Sequence, residues 1–272
     1  MVNLKEKIEF TKDVKRFAVR DLGIAPNDSF EKADLNLGKI YCFFAAPKKG
    51  EITASRDKYN AFYNLSDLRA YSQKIDNTKY DKYSRIVEAV GSAKIPIGTG
   101  LLKASKCREV FVILHEEVHI HLIENGVKLD DRIEESIANH FGINGMIEYF
   151  QKNHQSLKKA VHYVANMEFK SSLTNRIVKE YNKTCPDTID PQTRIYTDIR
   201  MLEALLEENI LRKDNSINKA KIQDDYVYTQ KYFHVKKILD GTHLHEYIKM
   251  LTDYGKPILT LDNLREAVGK TA

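Results

Sequence analysis

The segment from Val110 to Phe150 constrains the fold more than any other part of the chain. It contains two stretches with helical spacing of apolar residues, separated by a short polar loop. Ser105 suits the N-cap of the first stretch, and Asn125-Gly126 is typical of the left-handed stop after a last turn. The pattern predicts two consecutive helices. The first is apolar nearly all round its first half and should therefore be buried.

The first predicted helix carries His115-Glu116-Glu117-Val118-His119, the pattern H-E-x-x-H. The four-residue step places His115 and His119 one turn apart on the same face. Two imidazoles in this arrangement can share one metal ion, and Glu116 beside them can take a proton from a metal-bound water. The alternative is a chance match in a chain with nine histidines, in which both would be hydrogen-bonded core residues.

The start of the second predicted helix offers a third ligand. Asp131 and Glu134 resemble a capping box, which gives Glu134 a structural role and leaves Glu135 free. The arrangement is similar to that of gluzincin-type zinc peptidases, in which a glutamate one helix later is the third ligand and a polar residue four positions on steadies a ligand histidine. This resemblance implies that Glu135 is a ligand and that Asn139 steadies a ligand histidine. The alternative for Glu135 is a solvated acidic first turn that complements the helix dipole.

The same helix pair resembles the bacterial predicted-aminopeptidase family. The letters HEEVHIHL and IEESIANHFG stand here where that family has H-E-L-A-H-Q-x-L-Y and F-N-E-S-F-A-T-F-V-G. Glu135-Ser136 matches the Glu-Ser of the family and Gly142 matches its glycine, and this match selects Glu135 over Glu134. The resemblance implies a zincin-like metallopeptidase fold. Three protein ligands with an open fourth position are typical of a catalytic zinc site.

Shorter matches extend the resemblance in both directions. Ala46-Pro47 to Phe62 resembles a hairpin of the family, and Tyr83-Ser84 resembles its Tyr-Ser step. Asn218-Lys219-Ala220 to Tyr228 resembles a late N-N-A segment followed by a tyrosine, although a lysine replaces the second asparagine.

Composition and charge argue against several classes of protein. The chain has 272 residues, of which 30% are charged and 42% hydrophobic, as is ordinary for a soluble globular protein. The net charge is +5 without a dense basic block, so nucleic-acid binding has no support. An odd number of scattered cysteines (Cys42, Cys107 and Cys185) fits a reducing compartment. No stretch could cross a bilayer, and we expect a cytoplasmic protein; removal of an export signal would leave the same sequence.

The rest of the chain predicts a small N-terminal β element followed by a long helical array, a mostly helical α+β fold. Strands are predicted at 39–46 and, as its partner, 51–55, whereas 79–100 is expected to be loop-rich. Helices are predicted at 4–22, 58–76, 156–181, 195–211, 217–239 and 243–253. We expect one domain over residues 1–272, with lobes 1–125 and 126–272 on either side of the zinc site as a further division.

The sequence therefore predicts a zinc-dependent hydrolase that cleaves peptide bonds in a peptide or protein substrate. Zn²⁺ would be held by His115, His119 and Glu135, and a metal-bound water activated by Glu116 would attack the scissile carbonyl. Aminopeptidase activity is implied by the resemblance alone, because the carboxylates that would grip a free α-amine are not identifiable in the sequence.

Such a hydrolase also needs a donor to the tetrahedral oxyanion. Tyr228, in the late segment, and His162, on the helix after the site, are the candidates, although either could be an ordinary structural residue. His121 lies about 200° round the helix from His119 and should face away from the metal. His140 is also left out of the ligand set.

Two other functions remain open at this point. The chain could be a non-catalytic metal-binding or regulatory protein that retains the helix pair, although the intact Glu116 argues against a purely structural site. If the H-E-x-x-H pattern is accidental, the chain would be a helical interaction protein without metal.

Overall fold

The fold is mostly helical, with one small sheet. A computed structural model describes residues 4–37, 39–54, 58–88, 95–183 and 218–269. Three strands form a sheet in the order β2-β1-β3, and the arrangement confirms the predicted α+β class. The elements in chain order are α1 Leu4–Leu22, β1 Ile40–Pro47, β2 Tyr59–Phe62, α2 Leu65–Lys74, β3 Tyr80–Val87, α3 Thr99–Lys103, α4 Lys106–Glu124, α5 Asp131–Lys152, α6 Leu157–Lys183, α7 Lys219–Thr229, α8 Tyr232–Leu239, α9 Leu244–Tyr254 and α10 Leu261–Ala267.

The chain divides into two compact units. Unit 1 comprises Met1–Lys39, Val87–Asn166 and Lys231–Ala272, and unit 2 comprises Ile40–Ile86 and Met167–Gln230. Unit 1 therefore contains α1, α3, α4, α5 and the last three helices, and α6 contributes residues to both units. The predicted single domain and its division at residue 125 stay predictions.

Unit 1 is organised around α4, the predicted buried helix. The Ser105 side chain caps it by accepting from the backbone N–H of Arg108, and Asn125 ends it. Gly126 follows with φ +68°, a left-handed conformation that favours glycine. Every residue from Glu109 to Leu122 is buried, because α1 and α5 both pack against this helix. The predicted burial of the helix is confirmed.

Two glycines on α5 allow its backbone to approach α4 closely. A Cβ atom built on Gly145 would lie 2.8 Å from Leu114 Cδ1 and 3.0 Å from Leu22 Cδ1. A Cβ atom on Gly142 would lie 3.3 Å from His115 Cβ. A side chain at either position would force its neighbours to shift, so the two glycines allow the helices to approach closely near the H-E-x-x-H segment.

In unit 2, helices cover both faces of the sheet. Phe43 and Ala45 of β1 pack with Leu68 of α2, while α7 packs against β1 as well. On β3, Arg85 pairs with Asp224 of α7, with 2.7 Å between Nε and Oδ2.

Of the two predicted strands, that at 39–46 is confirmed as β1, whereas that at 51–55 is wrong over its described residues. Residues 51–54 form no strand, and β1 instead pairs antiparallel with β2, in a register that sets Tyr41 opposite Phe62. The helix expected at 58–76 accordingly begins at Leu65. The region expected to be loop-rich contains the strand β3. Its polar residues Asp81 and Arg85 are typical of a loop in the sequence, but in the structure they bond to residues of α7.

The helices at 4–22 and 156–181 are confirmed as α1 and α6, and that at 243–253 as α9. The stretch 217–239 is two helices, α7 and α8, separated by Gln230 and Lys231. The helix predicted at 195–211 lies outside the described residues. Among those that are described, no helix is long and apolar enough to cross a membrane.

The C-terminal part of unit 1 returns to the loop that precedes α5. The N–H of Ile258 donates to the carbonyl of Lys128 at 2.8 Å, and the N–H of Asp130 donates to the carbonyl of Ile258 at 3.0 Å. Farther along α5, the ring of Phe141 lies 5.2 Å from that of Tyr247 on α9. The start of α5 is therefore held by a segment more than a hundred residues later in the chain.

Candidate metal centre

Three side chains of unit 1 meet at the contact between α4 and α5. Nε2 of His115 lies 3.1 Å from Nε2 of His119, and Oε2 of Glu135 lies 3.4 Å and 3.6 Å from these two atoms. All three residues are buried, with 8%, 7% and 6% of their surfaces exposed. The group could hold a metal ion. The predicted ligands are thus brought together by the one-turn step on α4 and by the start of α5.

The cap of α5 differs from the predicted capping box. Asp130, not Asp131, is the N-cap, and its side chain accepts from both the backbone N–H and the guanidinium of Arg132. Glu134 therefore has a different contact: its Oε1 lies 2.6 Å from Nδ1 of His119. The sequence prediction missed this role because the Asp-x-x-Glu spacing was attributed to the cap.

Two carboxylates surround the His119 ring and change its proton affinity. Burial by itself would lower the pKa of His119, but the negative charge of Glu135 and the hydrogen bond to Glu134 raise it well above the ordinary value. Without a metal, this ring therefore binds a proton strongly. A cation bound at Nε2 would take the place of that proton, because a ligand histidine must be neutral.

Glu116 lies beside the three candidate ligands and has the environment of a proton acceptor. Burial raises the pKa of its carboxyl group, while the charges of His115 and His119 oppose the rise. Its Oε2 is buried and has no hydrogen-bond partner among the described residues. A carboxylate with a raised pKa and an available oxygen suits general-base chemistry near neutral pH.

The opposite face of α4 is attached to the segment that follows α1. Nδ1 of His121 accepts from the N–H of Ala25 at 3.0 Å, and Oε2 of Glu117 accepts from Nδ2 of Asn27 at 2.7 Å. His121 is thus directed away from the candidate ligands, as its position on the helix predicted. His140 contacts Asn144 on its own helix, at 3.0 Å from Nε2 to Nδ2.

The remaining predicted site residues lie in varied environments. Asn139 is buried on α5, one turn after Glu135. His162 is exposed on α6, where its Nε2 lies 3.3 Å from Nδ2 of Asn166. Tyr228 belongs to unit 2, and its hydroxyl accepts from the guanidinium of Arg85 at 3.1 Å. The roles assigned to these three residues stay predictions.

Arg108 is a charged neighbour of the site that the sequence did not reveal. It precedes His115 by two turns, and its guanidinium binds both carboxylate oxygens of Glu88, at 3.2 Å and 3.0 Å. Its Nη1 also donates to the hydroxyl of Tyr163 at 3.4 Å. Its positive charge is among those that oppose the raised pKa of Glu116. In the sequence, the spacing of seven residues between Arg108 and His115 places both on the same face of the helix and could have indicated this neighbour.

Comparison with known proteins shows the family of the chain. A family model described as "Putative aminopeptidase" matches residues 2–237. The chain belongs to this family. The match to the aminopeptidase family includes α4 and α5 with all three candidate ligands, and it ends within α8. No curated protein and no solved structure matches the chain. Membership of the aminopeptidase family suggests peptidase activity, and it confirms the family resemblance seen in the sequence.

Proposed function

We propose that the protein is a zinc-dependent peptidase of the gluzincin type, in which His115, His119 and Glu135 hold the metal. The observation that carries this proposal is the close approach of two imidazole nitrogens and one carboxylate oxygen in a buried site. Family membership supports a peptide or protein substrate. Aminopeptidase specificity, a finer part of the proposal, rests on the family description.

The spacing of the donor atoms supports zinc. A tetrahedral ion with nitrogen and oxygen ligands at about 2.0–2.2 Å separates those ligands by about 3.3–3.6 Å. The three donor atoms here are 3.1, 3.4 and 3.6 Å apart. Two imidazole nitrogens at such a distance also repel each other unless a proton or a metal ion lies between them. Two histidines and one carboxylate favour zinc among the divalent ions.

The residues of the site would divide the reaction between them. When bound, zinc would polarise the scissile carbonyl and increase the acidity of the attacking water. Glu116 would take the proton from that water and pass it to the leaving amine. Burial of Glu116 supports this role, because it raises the proton affinity of the carboxylate that must hold the proton between the two steps. Tyr228 and His162 remain the proposed oxyanion donors.

The first experiment measures zinc content and peptide cleavage in the unmodified protein, Glu116→Gln and Glu135→Ala. Glu116→Gln should retain about one zinc per chain and lose activity by roughly 10²–10⁴-fold, because the amide cannot accept the proton. Glu135→Ala should lose most of its zinc, because one of the three ligands is missing.

Glu117→Gln is the matched control, since it makes the same change one residue away, on the face that contacts Asn27. It should retain both zinc and activity. Undiminished cleavage by Glu116→Gln would contradict the role of Glu116. Zinc binding without cleavage of any peptide in a library would favour a non-catalytic or regulatory metal protein, and absence of metal would favour a helical interaction protein.

A further inference from the structure

A second carboxylate lies against the ring of His119, on the side opposite the candidate metal position. Nε2 of His119 faces His115 and Glu135, whereas Nδ1 of the same ring lies 2.6 Å from Oε1 of Glu134. A neutral imidazole that donates its Nδ1–H to an acceptor presents a lone pair at Nε2. This is the tautomer that a metal at the site would require.

We propose that Glu134 is a positioning residue for the metal site. Its carboxylate holds His119 in the tautomer and orientation of a ligand and adds a negative charge on the far side of the ring. The proposal rests on the zinc site proposed above and assigns a function to a residue outside the ligand set. Carboxylate–histidine–metal arrangements of this kind increase the basicity of the ligand nitrogen.

The position of Glu134 on α5 suits this role. Glu134 and Glu135 are consecutive residues, and they contact the two different nitrogens of the His119 ring. The side chain of Glu134 is 25% exposed while that of His119 is 9% exposed. The low dielectric constant around the buried ring strengthens the hydrogen bond between His119 and Glu134.

The charge of Glu134 also distinguishes this chain from the pattern that it resembles. That pattern, F-N-E-S, has asparagine before the ligand glutamate, whereas this chain has I-E-E-S. An asparagine could accept a hydrogen bond but would supply no charge. The carboxylate here should therefore make Nε2 of His119 a stronger metal ligand than a neutral amide would.

A purely structural role for Glu134 would be a contribution to the start of α5, where acidic residues interact favourably with the helix dipole. Asp130 already supplies the N-cap, and Asp131 supplies an exposed acidic group in the same turn. Asp131→Asn is therefore a matched control: it removes one negative charge from this turn but leaves the contact with His119 in place.

The test is a competition between the protein and a chromophoric zinc chelator, with the unmodified protein, Glu134→Gln, Glu134→Ala and Asp131→Asn. Glu134→Ala should weaken zinc binding by roughly 10–100-fold, as is typical when the partner of a ligand histidine is removed. Glu134→Gln, which keeps an acceptor of the same shape but no charge, should show a smaller loss. Asp131→Asn should bind zinc as the unmodified protein does.

A second measurement observes the ring itself. In protein labelled with ¹⁵N-histidine and loaded with zinc, Nδ1 of His119 should carry the proton in the unmodified protein and in Glu134→Gln. In Glu134→Ala the Nδ1–H should lose its protection from exchange with water, because the acceptor is gone. Asp131→Asn, which changes the start of the helix but leaves Glu134 in contact with His119, should keep this protection.

The outcomes separate this proposal from the one on which it rests. Equal zinc affinity in Glu134→Ala and Asp131→Asn, together with loss of zinc from Glu135→Ala, would overturn the role of Glu134 and leave the metal site standing. Absence of zinc binding in the unmodified protein would overturn both. Glu134→Gln keeps the experiment decisive if Glu134→Ala does not fold.

Discussion

At the scale of single residues, burial and a few neighbours determine which groups carry charge. Glu116 and His140 are both buried, and burial opposes ionisation in each case: the pKa of Glu116 rises and that of His140 falls to about 4. For Glu116 the shift strengthens the carboxylate as a proton acceptor. For His140 it makes the folded protein sensitive to acid.

We predict that His140 destabilises the protein as the pH falls. Burial, together with the positive charge of Lys236, lowers its pKa from 6.5 to about 4 in the folded state. Between these values the unfolded chain binds more protons, so the free energy of unfolding decreases as the pH falls through this window. The contribution of His140 is fully present above pH 6.5 and reaches up to about 3 kcal/mol, which is lost by about pH 4.

Urea unfolding at several pH values, with a chelator present throughout, would measure this dependence. His140→Gln is the matched variant, because glutamine can still accept from Asn144 but has no group that titrates in this range. The variant should show a flatter decline of stability between pH 7 and 4 than the unmodified protein. Parallel curves for the two proteins would contradict the prediction.

The sequence located the candidate metal ligands but not the residues that contact and position them. H-E-x-x-H spacing fixes two imidazoles on one helical face whatever the rest of the chain does, so His115 and His119 could be predicted to meet. The contact of Glu134 with His119 depends on the angle between α4 and α5, which no local pattern contains. Arg108 and Glu88 meet for the same reason, through packing between distant segments.

At the scale of elements, helices were easier to predict than strands. The apolar stripes of α1 and α6 repeat with a period that needs no partner to be recognised. β3 was missed because Asp81 and Arg85 lie on the face that meets α7, where they bond to Lys219 and Asp224. Polar residues of a strand whose hydrogen-bond partners lie on a distant helix cannot be told from loop residues by the sequence alone.

The packing of α4 on α5 gives a prediction at this scale. Gly145→Ala should lower the free energy of unfolding by up to about 2 kcal/mol, because overpacking costs about 1–3 kcal/mol and the gain in helix propensity returns about 1 kcal/mol. The added methyl group would lie 2.8 Å from Leu114 Cδ1, so that side chain or the helix must shift. Denaturant unfolding would measure the change.

Gly100→Ala provides the control for this substitution. Its added Cβ atom would lie 3.5 Å from the Cα atom of Glu88, an ordinary contact distance. This variant, also in a helix, should be neutral or slightly more stable. Equal loss of stability in both variants would mean that the close approach of α5 to α4 is not the cause.

At the scale of the whole molecule, the candidate metal centre lies within one compact unit assembled from three separate stretches of chain. The ligands come from consecutive helices, but the helices around them come from both ends of the sequence. Such an arrangement has many contacts between residues distant in sequence, which slows folding. A metal bound to the folded form would stabilise the unit as a whole.

Zinc should therefore raise the unfolding midpoint of the metal-free protein. Zinc at 100 times its dissociation constant would add about 2.7 kcal/mol to the free energy of unfolding, provided that the unfolded chain does not bind it. Calcium, which prefers six or more oxygen ligands, should have little effect. Thermal unfolding followed by circular dichroism, with Glu135→Ala as a second control, would test this. An equal shift with both ions would contradict a specific site.

The pairing of Ile258 with Lys128 and Asp130 has a practical consequence for anyone who would shorten or transplant this protein. The family match ends at residue 237, inside α8, and so leaves out the segment that pairs with the entrance to α5. A fragment that ends at residue 237 would keep every candidate ligand but would lose the backbone hydrogen bonds of Ile258 that hold the start of α5, where Glu135 lies. A transferable unit must therefore include the segment around Ile258 in addition to α1, α4 and α5.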